Sequence, residues 1–164
     1  METKEKSKPL NISTTPELNK LNVFVGKWNI EGMQYEGAFG PTAKITTVET
    51  YEWLPGRLFL IHRLTGNVGK QKIACIEVIG YDEISKSYPT HSFYNDGNTN
   101  EWLSREENGT WTLIGNSQAA GKPIKVRSTT IFSNDNNSFT VKWEKSNDGL
   151  EWETFWDINA TKAS

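Results

Sequence analysis

From Lys27 onward the chain is written in period two. Short runs rich in Thr, Val, Ile, Trp, Tyr and Phe alternate with polar residues and stop at turn formers. That period sends successive side chains to opposite faces of an extended strand, so each run can bury one face and wet the other. The runs fall at 27–36, 43–54, 57–66, 71–82, 89–95, 99–106, 109–115, 124–133, 138–146 and 150–159, which predicts about ten strands. Between them stand Pro55-Gly56, Asn67, Gly69, Asp96-Gly97, Asn108-Gly109, Asn134 to Asn137 and Asp148-Gly149. These residues accept the dihedrals of hairpin turns.

No separator after Gly26 has room for the crossover helix that a parallel pair requires. Strands adjacent in sequence should therefore pair in space, and closure would remove the exposed edges. The expected fold is all-β: a single closed up-and-down antiparallel barrel of about ten strands with a short N-terminal helix. The alternation is cleanest near the end, where Phe139, Val141 and Trp143 oppose Thr140, Lys142 and Glu144. Leu150, Trp152, Trp156 and Ile158 likewise oppose Glu151, Glu153 and Asp157.

Ahead of the strands, "TTPELNKLNVFVG" supplies Thr15 as an N-cap, Pro16 in the first turn, Glu17 beside it and Gly26 as a stop. Residues 1–13 are polar and without period, which reads as a loose leader, with one barrel domain over 14–164. A chain of 164 residues suits one domain. The 18 basic and 20 acidic residues leave a net charge of -2, too little field of either sign to attract nucleic acid or an anionic membrane. Cys75 is the only cysteine and there are two histidines. No intramolecular disulfide is possible, no zinc site is spelled out, and neither metal nor cofactor is expected. "METKEKSKPL" lacks the apolar stretch of a signal peptide, and no later run approaches a membrane span, so a cytoplasmic location is expected.

A glycine two residues before a tryptophan, directly after a short helix, is the pattern with which lipocalins and fatty-acid-binding proteins begin; here it is Gly26 and Trp28. The glycine eases the turn from helix to strand, and the indole covers the closed end. Together with "LPGRLFL" at 54–60, "VIGYDEISKSY" at 78–88 and "SNDGLEWE" at 146–153, it resembles an uncharacterised bacterial family of small lipocalin-like (calycin) barrels, classed as a domain of unknown function. The resemblance covers nearly the whole chain after residue 17 and implies the fold without any activity. Within it, Asp82 is expected to cap a tight turn by accepting backbone amides. The fatty-acid-binding pattern itself is incomplete. Only "GAFGPT" (37–42) separates the first two runs, leaving no helical lid, and "WETFWDINA" carries no Arg-x-Tyr pair. A haem-binding barrel related to nitrobindin would draw on His62 or His91, but the resemblance implies an iron ligand near the C-terminus, where this chain has no histidine.

The chemistry is predicted from one hairpin. If the Pro55-Gly56 turn is symmetric, Trp53 pairs with Leu58, Tyr51 with Leu60 and Glu49 with His62. Glu49, Tyr51 and His62 then point inward, because the alternate set Lys44, Thr46, Thr50 and Glu52 is polar. A carboxylate holding an imidazole inside a barrel raises its pKa and fixes its tautomer, which suits a general base, a proton shuttle or a ligand anchor. The same pair also reads as a satisfied internal ion pair, and a one-residue bulge would break it. Glu77 joins this layer if its strand, apolar in both phases, faces the right way. Arg63, Arg105 and Arg127 fall in the outward phase; were the third strand inverted, Arg63 would replace His62 inside.

Of seven tryptophans, Trp102, Trp111, Trp143 and Trp156 fall in inward phases and would line or fill the interior. The leading expectation is therefore a barrel that binds a small apolar or aromatic ligand, anchored by Glu49, Tyr51 and His62. A second is an isomerase, cyclase or hydrolase working through Glu49 and His62. A third is an interaction module forming a homodimer through an outer face at Phe59 and Ile61.

Overall fold

The computed structural model describes residues 14–119 and 121–164; the expected leader, 1–13, lies outside them. Helix α1 (Pro16–Lys20) starts where the sequence signals it: the Thr15 hydroxyl accepts the Leu18 amide at 3.2 Å, and Pro16 opens the first turn. A 3-10 turn, Leu21–Val23, leads into the strands. They are β1 (Gly26–Gln34), β2 (Ala43–Trp53), β3 (Leu60–Val68), β4 (Gln71–Ile79), β5 (Tyr88–Tyr94), β6 (Thr99–Glu107), β7 (Thr110–Ala119), β8 (Lys122–Phe132), β9 (Ser138–Ser146) and β10 (Glu153–Lys162). Each pairs antiparallel with its sequence neighbour, and β1 pairs with β10, from Trp28 opposite Lys162 to Gln34 opposite Trp156. The closed ten-strand up-and-down barrel is as expected. Among the described residues no helix is long and apolar enough to cross a membrane.

Turn chemistry moved the boundaries. The β2–β3 connection is wider than a symmetric two-residue turn: Leu54 bonds Phe59, and the left-handed dihedrals at Gly56 and Arg57 accommodate the extra residues. Strand β3 consequently starts at Leu60 rather than 57. Between β9 and β10 the Asp148 carboxylate accepts the amides of Leu150 and Glu151. That holds the chain in a turn and delays β10 to Glu153, contrary to the expected inward phase from Leu150. Leu150 is 84% exposed, and Trp152 lies outside under the Arg127 guanidinium, 4.2 Å from its ring centre. The β7–β8 hairpin runs longer than its apolar residues suggested, with pairing that continues through Ser117 opposite Ile124 to Ala119 opposite Lys122. The turn after β4 agrees with expectation: Asp82 accepts the amides of Ile84 and Ser85.

Helix α1 closes one end. The Tyr88 hydroxyl donates to the Glu17 carbonyl at 2.9 Å, and Lys20 pairs with Glu106. Trp28 is fully buried and its indole donates to the Phe24 carbonyl at 2.7 Å. The centre of the plug is Phe24, with ring centres of Tyr51, Trp111 and Phe132 at 5.4, 5.1 and 5.0 Å. Seven strands and the helical segment thus contribute buried residues to one aromatic floor. A second cluster around Trp102, Val126 and Phe155 packs nearer the opposite end.

Candidate functional site

Strands β2 to β6 bring one inward row across five neighbours. Tyr51 lies opposite His62, His62 opposite Glu77, Glu77 opposite Ser92 and Ser92 opposite Asn100. The expected Glu49–His62 register is corrected here: Glu49 lies opposite Leu64. The slip is two residues, so every side chain stays on its face, and Glu49 becomes the diagonal neighbour of His62. The contact survives as a 3.0 Å approach of Glu49 Oε2 to His62 Nε2. Glu77, whose facing was open, points inward and meets His62 Nδ1 through Oε2 at 2.7 Å.

The surroundings hold this triad in place. The Tyr51 ring stacks on the imidazole, with centres 4.1 Å apart and planes 3° from parallel, and its hydroxyl donates to Glu49 Oε2 at 3.2 Å. The Ser92 hydroxyl donates to Glu77 Oε1 at 2.5 Å and accepts the Trp102 indole N–H at 2.8 Å. Gly115 stands opposite Trp102, and a Cβ there would collide with the indole. The glycine thus lets the ring lie flat against β7.

Hydrogen-bond accounting sets the charge state. A neutral imidazole carries one N–H and would turn a lone pair toward one of the two carboxylates, whereas an imidazolium donates to both. Burial pulls the His62 pKa down, but the charge of Glu49 and the hydrogen bonds to Glu49 and Glu77 outweigh it and hold it at about 10. Burial pushes the Glu77 carboxyl up, yet His62 and Ser92 bring it below its ordinary value. Burial and the neighbouring Glu49 push the Tyr51 phenol well above its usual range. Burial and Glu77 raise the Cys75 thiol to about 12, so it holds no thiolate at neutral pH.

This row faces a cavity of about 940 Å³ that reaches from the aromatic floor to the turns at the other end. Glu49, Tyr51, His62, Glu77, Trp102, Trp111, Trp143 and Trp156 all line it. Phe39, on the β1–β2 connection, packs tilted against Phe155 with centres 4.4 Å apart and roofs part of the mouth. Gln34 ties that connection down, donating to the Pro41 carbonyl and accepting the Trp156 indole N–H.

Other expected residues lie elsewhere. Arg63, Arg105 and Arg127 are outside; Arg63 meets Glu52 and Arg127 meets Glu144. His91 is also on the outer face, beside Glu101. With both His62 nitrogens taken, neither histidine offers an axial nitrogen to a haem in the cavity. Among the described residues no group of His, Cys, Asp or Glu is arranged to hold a metal ion. Of the outer patch expected at Phe59 and Ile61, Phe59 is 47% exposed but Ile61 is buried.

Sequence reasoning missed Ser92, Thr90, Ser128, Thr130 and the central role of Phe24. The β5 run "YPTHSFY" hides its phase: Phe93 faces out and is exposed, while the small hydroxyls of Thr90 and Ser92 face in. A usable signal was the spacing of Tyr88, Thr90, Ser92 and Tyr94, which excludes both Pro89 and His91.

The family model described as "Protein of unknown function (DUF1579)" matches residues 13–162. The crystal structure of Rv2717c from M. tuberculosis is similar, with a TM-score of 0.63 at 8% identity over 93% of this chain and 100% of that one. At that identity the likeness establishes the fold alone. No curated protein matches in sequence.

Proposed function

We propose that this chain, which belongs to the DUF1579 family of proteins of unknown function, is a lipocalin-like binder of a small apolar or aromatic molecule held inside its barrel. One observation carries this reading: the interior is hollow, about 940 Å³, and a lining rich in aromatic rings surrounds one inward-facing charged cluster at Glu49, His62 and Glu77. Sites for small molecules combine that size with mostly apolar linings and a few convergent polar groups that set orientation. The cluster is rigid, since Tyr51 stacks on it and Ser92 braces it, so it can hold a ligand in one pose at little ordering cost. Access is expected at the end away from α1, and a cytoplasmic location goes with this reading.

Catalysis by Glu49 and His62 has weaker support. A general base needs a free lone pair turned to its substrate, and both ring nitrogens of His62 face carboxylates. The arrangement suits holding charge better than taking up a proton.

The test is a titration of the purified protein with the neutral dye N-phenyl-1-naphthylamine, paired with mass spectrometry of a solvent extract. Saturable dye binding with a blue-shifted emission is expected, and Thr130→Trp, which places an indole in the cavity, should weaken it roughly tenfold or more. A dye that fails to bind the folded protein defeats the reading.

A further inference from the structure

The cavity lining is one-sided in charge. Its inward-facing charged groups are the carboxylates of Glu49 and Glu77 and the imidazole of His62, with Asp96 on the exposed turn at its rim, and among the described residues it contains no lysine or arginine. Two carboxylates against one imidazolium leave the buried interior negative, and among the described residues no lysine or arginine faces it to receive an anionic head group. A carboxylate or phosphate brought inside would lose hydration and meet like charge.

Acceptor capacity is also left over. Glu49 is more than nine-tenths buried, and its Oε1 has one hydrogen-bonding neighbour, the Thr47 hydroxyl at a long 3.4 Å. Each carboxylate oxygen can accept two hydrogen bonds. Thr90, Ser128 and Thr130 are likewise more than nine-tenths buried and line the cavity. Their hydroxyls take part in no side-chain hydrogen bond among the described residues. Buried hydroxyls favour a neighbour that can hydrogen-bond, so the lining matches an occupant with polar hydrogens as well as an apolar body. The indoles of Trp102, Trp143 and Trp156 add ring faces that attract a cation.

Resting on the cavity reading above, we infer that the occupant is an amphipathic cation, an amine with an aromatic or aliphatic body, whose ammonium group docks at Glu49 and Glu77. The ammonium supplies three donors to the open acceptors. It offsets the excess negative charge, and its hydrocarbon body lies along the aromatic wall. Fatty acids and phosphorylated ligands are selected against by the same lining.

The test compares three ligands of equal chain length, decylamine, decanol and decanoate, by tryptophan fluorescence of the full chain at neutral pH. Decylamine should bind roughly tenfold tighter than decanol, with decanoate weakest. Glu49→Gln keeps an acceptor oxygen but removes a charge. With folding verified by circular dichroism, it should shrink the amine-to-alcohol ratio several-fold, while Glu151→Gln on the outer turn should leave it unchanged. Equal affinity for decylamine and decanol, or tightest binding by decanoate, overturns the inference and leaves the apolar-binding reading standing. Absence of binding by all three overturns both.

Discussion

The floor and the polar row lie in the same barrel and are held by opposite means. At the floor, Phe24 from the segment before β1 meets Trp28, Tyr51, Trp111, Phe132 and Phe139 from five different strands, with centres 4.7 to 6.3 Å apart for the ring pairs that touch. Apolar contacts of this kind are non-directional, so several strands share the stabilisation and small shifts are tolerated. In the row, each group depends on a named partner: His62 on Glu49 and Glu77, Glu77 on Ser92, Ser92 on Trp102. A buried charge without its partner is costly, and a satisfied one adds little net stability over an apolar core. The floor therefore reads as the stabilising end. The row adds little net stability by comparison, which is the contrast that the proposed binding role predicts.

The largest effect should come from the floor. Trp28→Ala removes a fully buried indole and is expected to cost about 3–5 kcal/mol, read as a lowered urea midpoint. A loss below about 1 kcal/mol would break the contrast, because the floor would then be dispensable.

Removing one member of the row comes next. His62→Ala leaves Glu49 and Glu77 facing each other without a cation and is expected to cost about 3 kcal/mol at neutral pH. Replacing Glu49, His62 and Glu77 together with leucines should restore or exceed wild-type stability while abolishing the discrimination between decylamine and decanol. If the triple variant is as unstable as His62→Ala, the row is structural after all.

Stability should also follow pH through these groups. The His62 pKa is raised in the fold, so its contribution is complete below about 6.5 and is lost as pH rises through about 10. The Glu77 pKa is lowered, so its contribution is present above its unfolded value and is lost as pH falls. Denaturant midpoints should peak in mildly acidic solution, and the alkaline fall should vanish in the triple leucine variant. A flat profile between neutrality and pH 10 would mean that His62 is neutral.

The smallest effect is expected at the turn that displaced a strand. Leu150→Ser, at a side chain reaching into solvent, should change stability by no more than about 0.5 kcal/mol. A larger loss would place Leu150 in the core, as its apolar character had implied.

The barrel was legible because period two and hairpin residues recur along the chain, and each strand repeats the same instruction. An error in one run, such as the early start at Leu150, leaves the other pairings intact. The site was legible in part. Glu49, Tyr51 and His62 came from the parity of one hairpin, and parity survived because the wider turn shifted the register by two residues rather than one. Glu77 could not be oriented, since Ile73, Ile76, Val78 and Ile79 make its strand apolar on both faces. Ser92 and Thr90 were hidden because the large apolar residue of their strand, Phe93, lies in the opposite, exposed phase.

The sequence by itself determined what is local: the Thr15 cap, the hairpin turns, the alternation and the absence of a crossover, which together require an antiparallel barrel. Only the tertiary structure decided which carboxylates meet His62, that among the described residues the lining carries no lysine or arginine, and that the interior is hollow. Closure brings residues from strands far apart in sequence onto one wall. Neither their distances nor the space left between walls is encoded in any single run, because both depend on how ten strands pack at once.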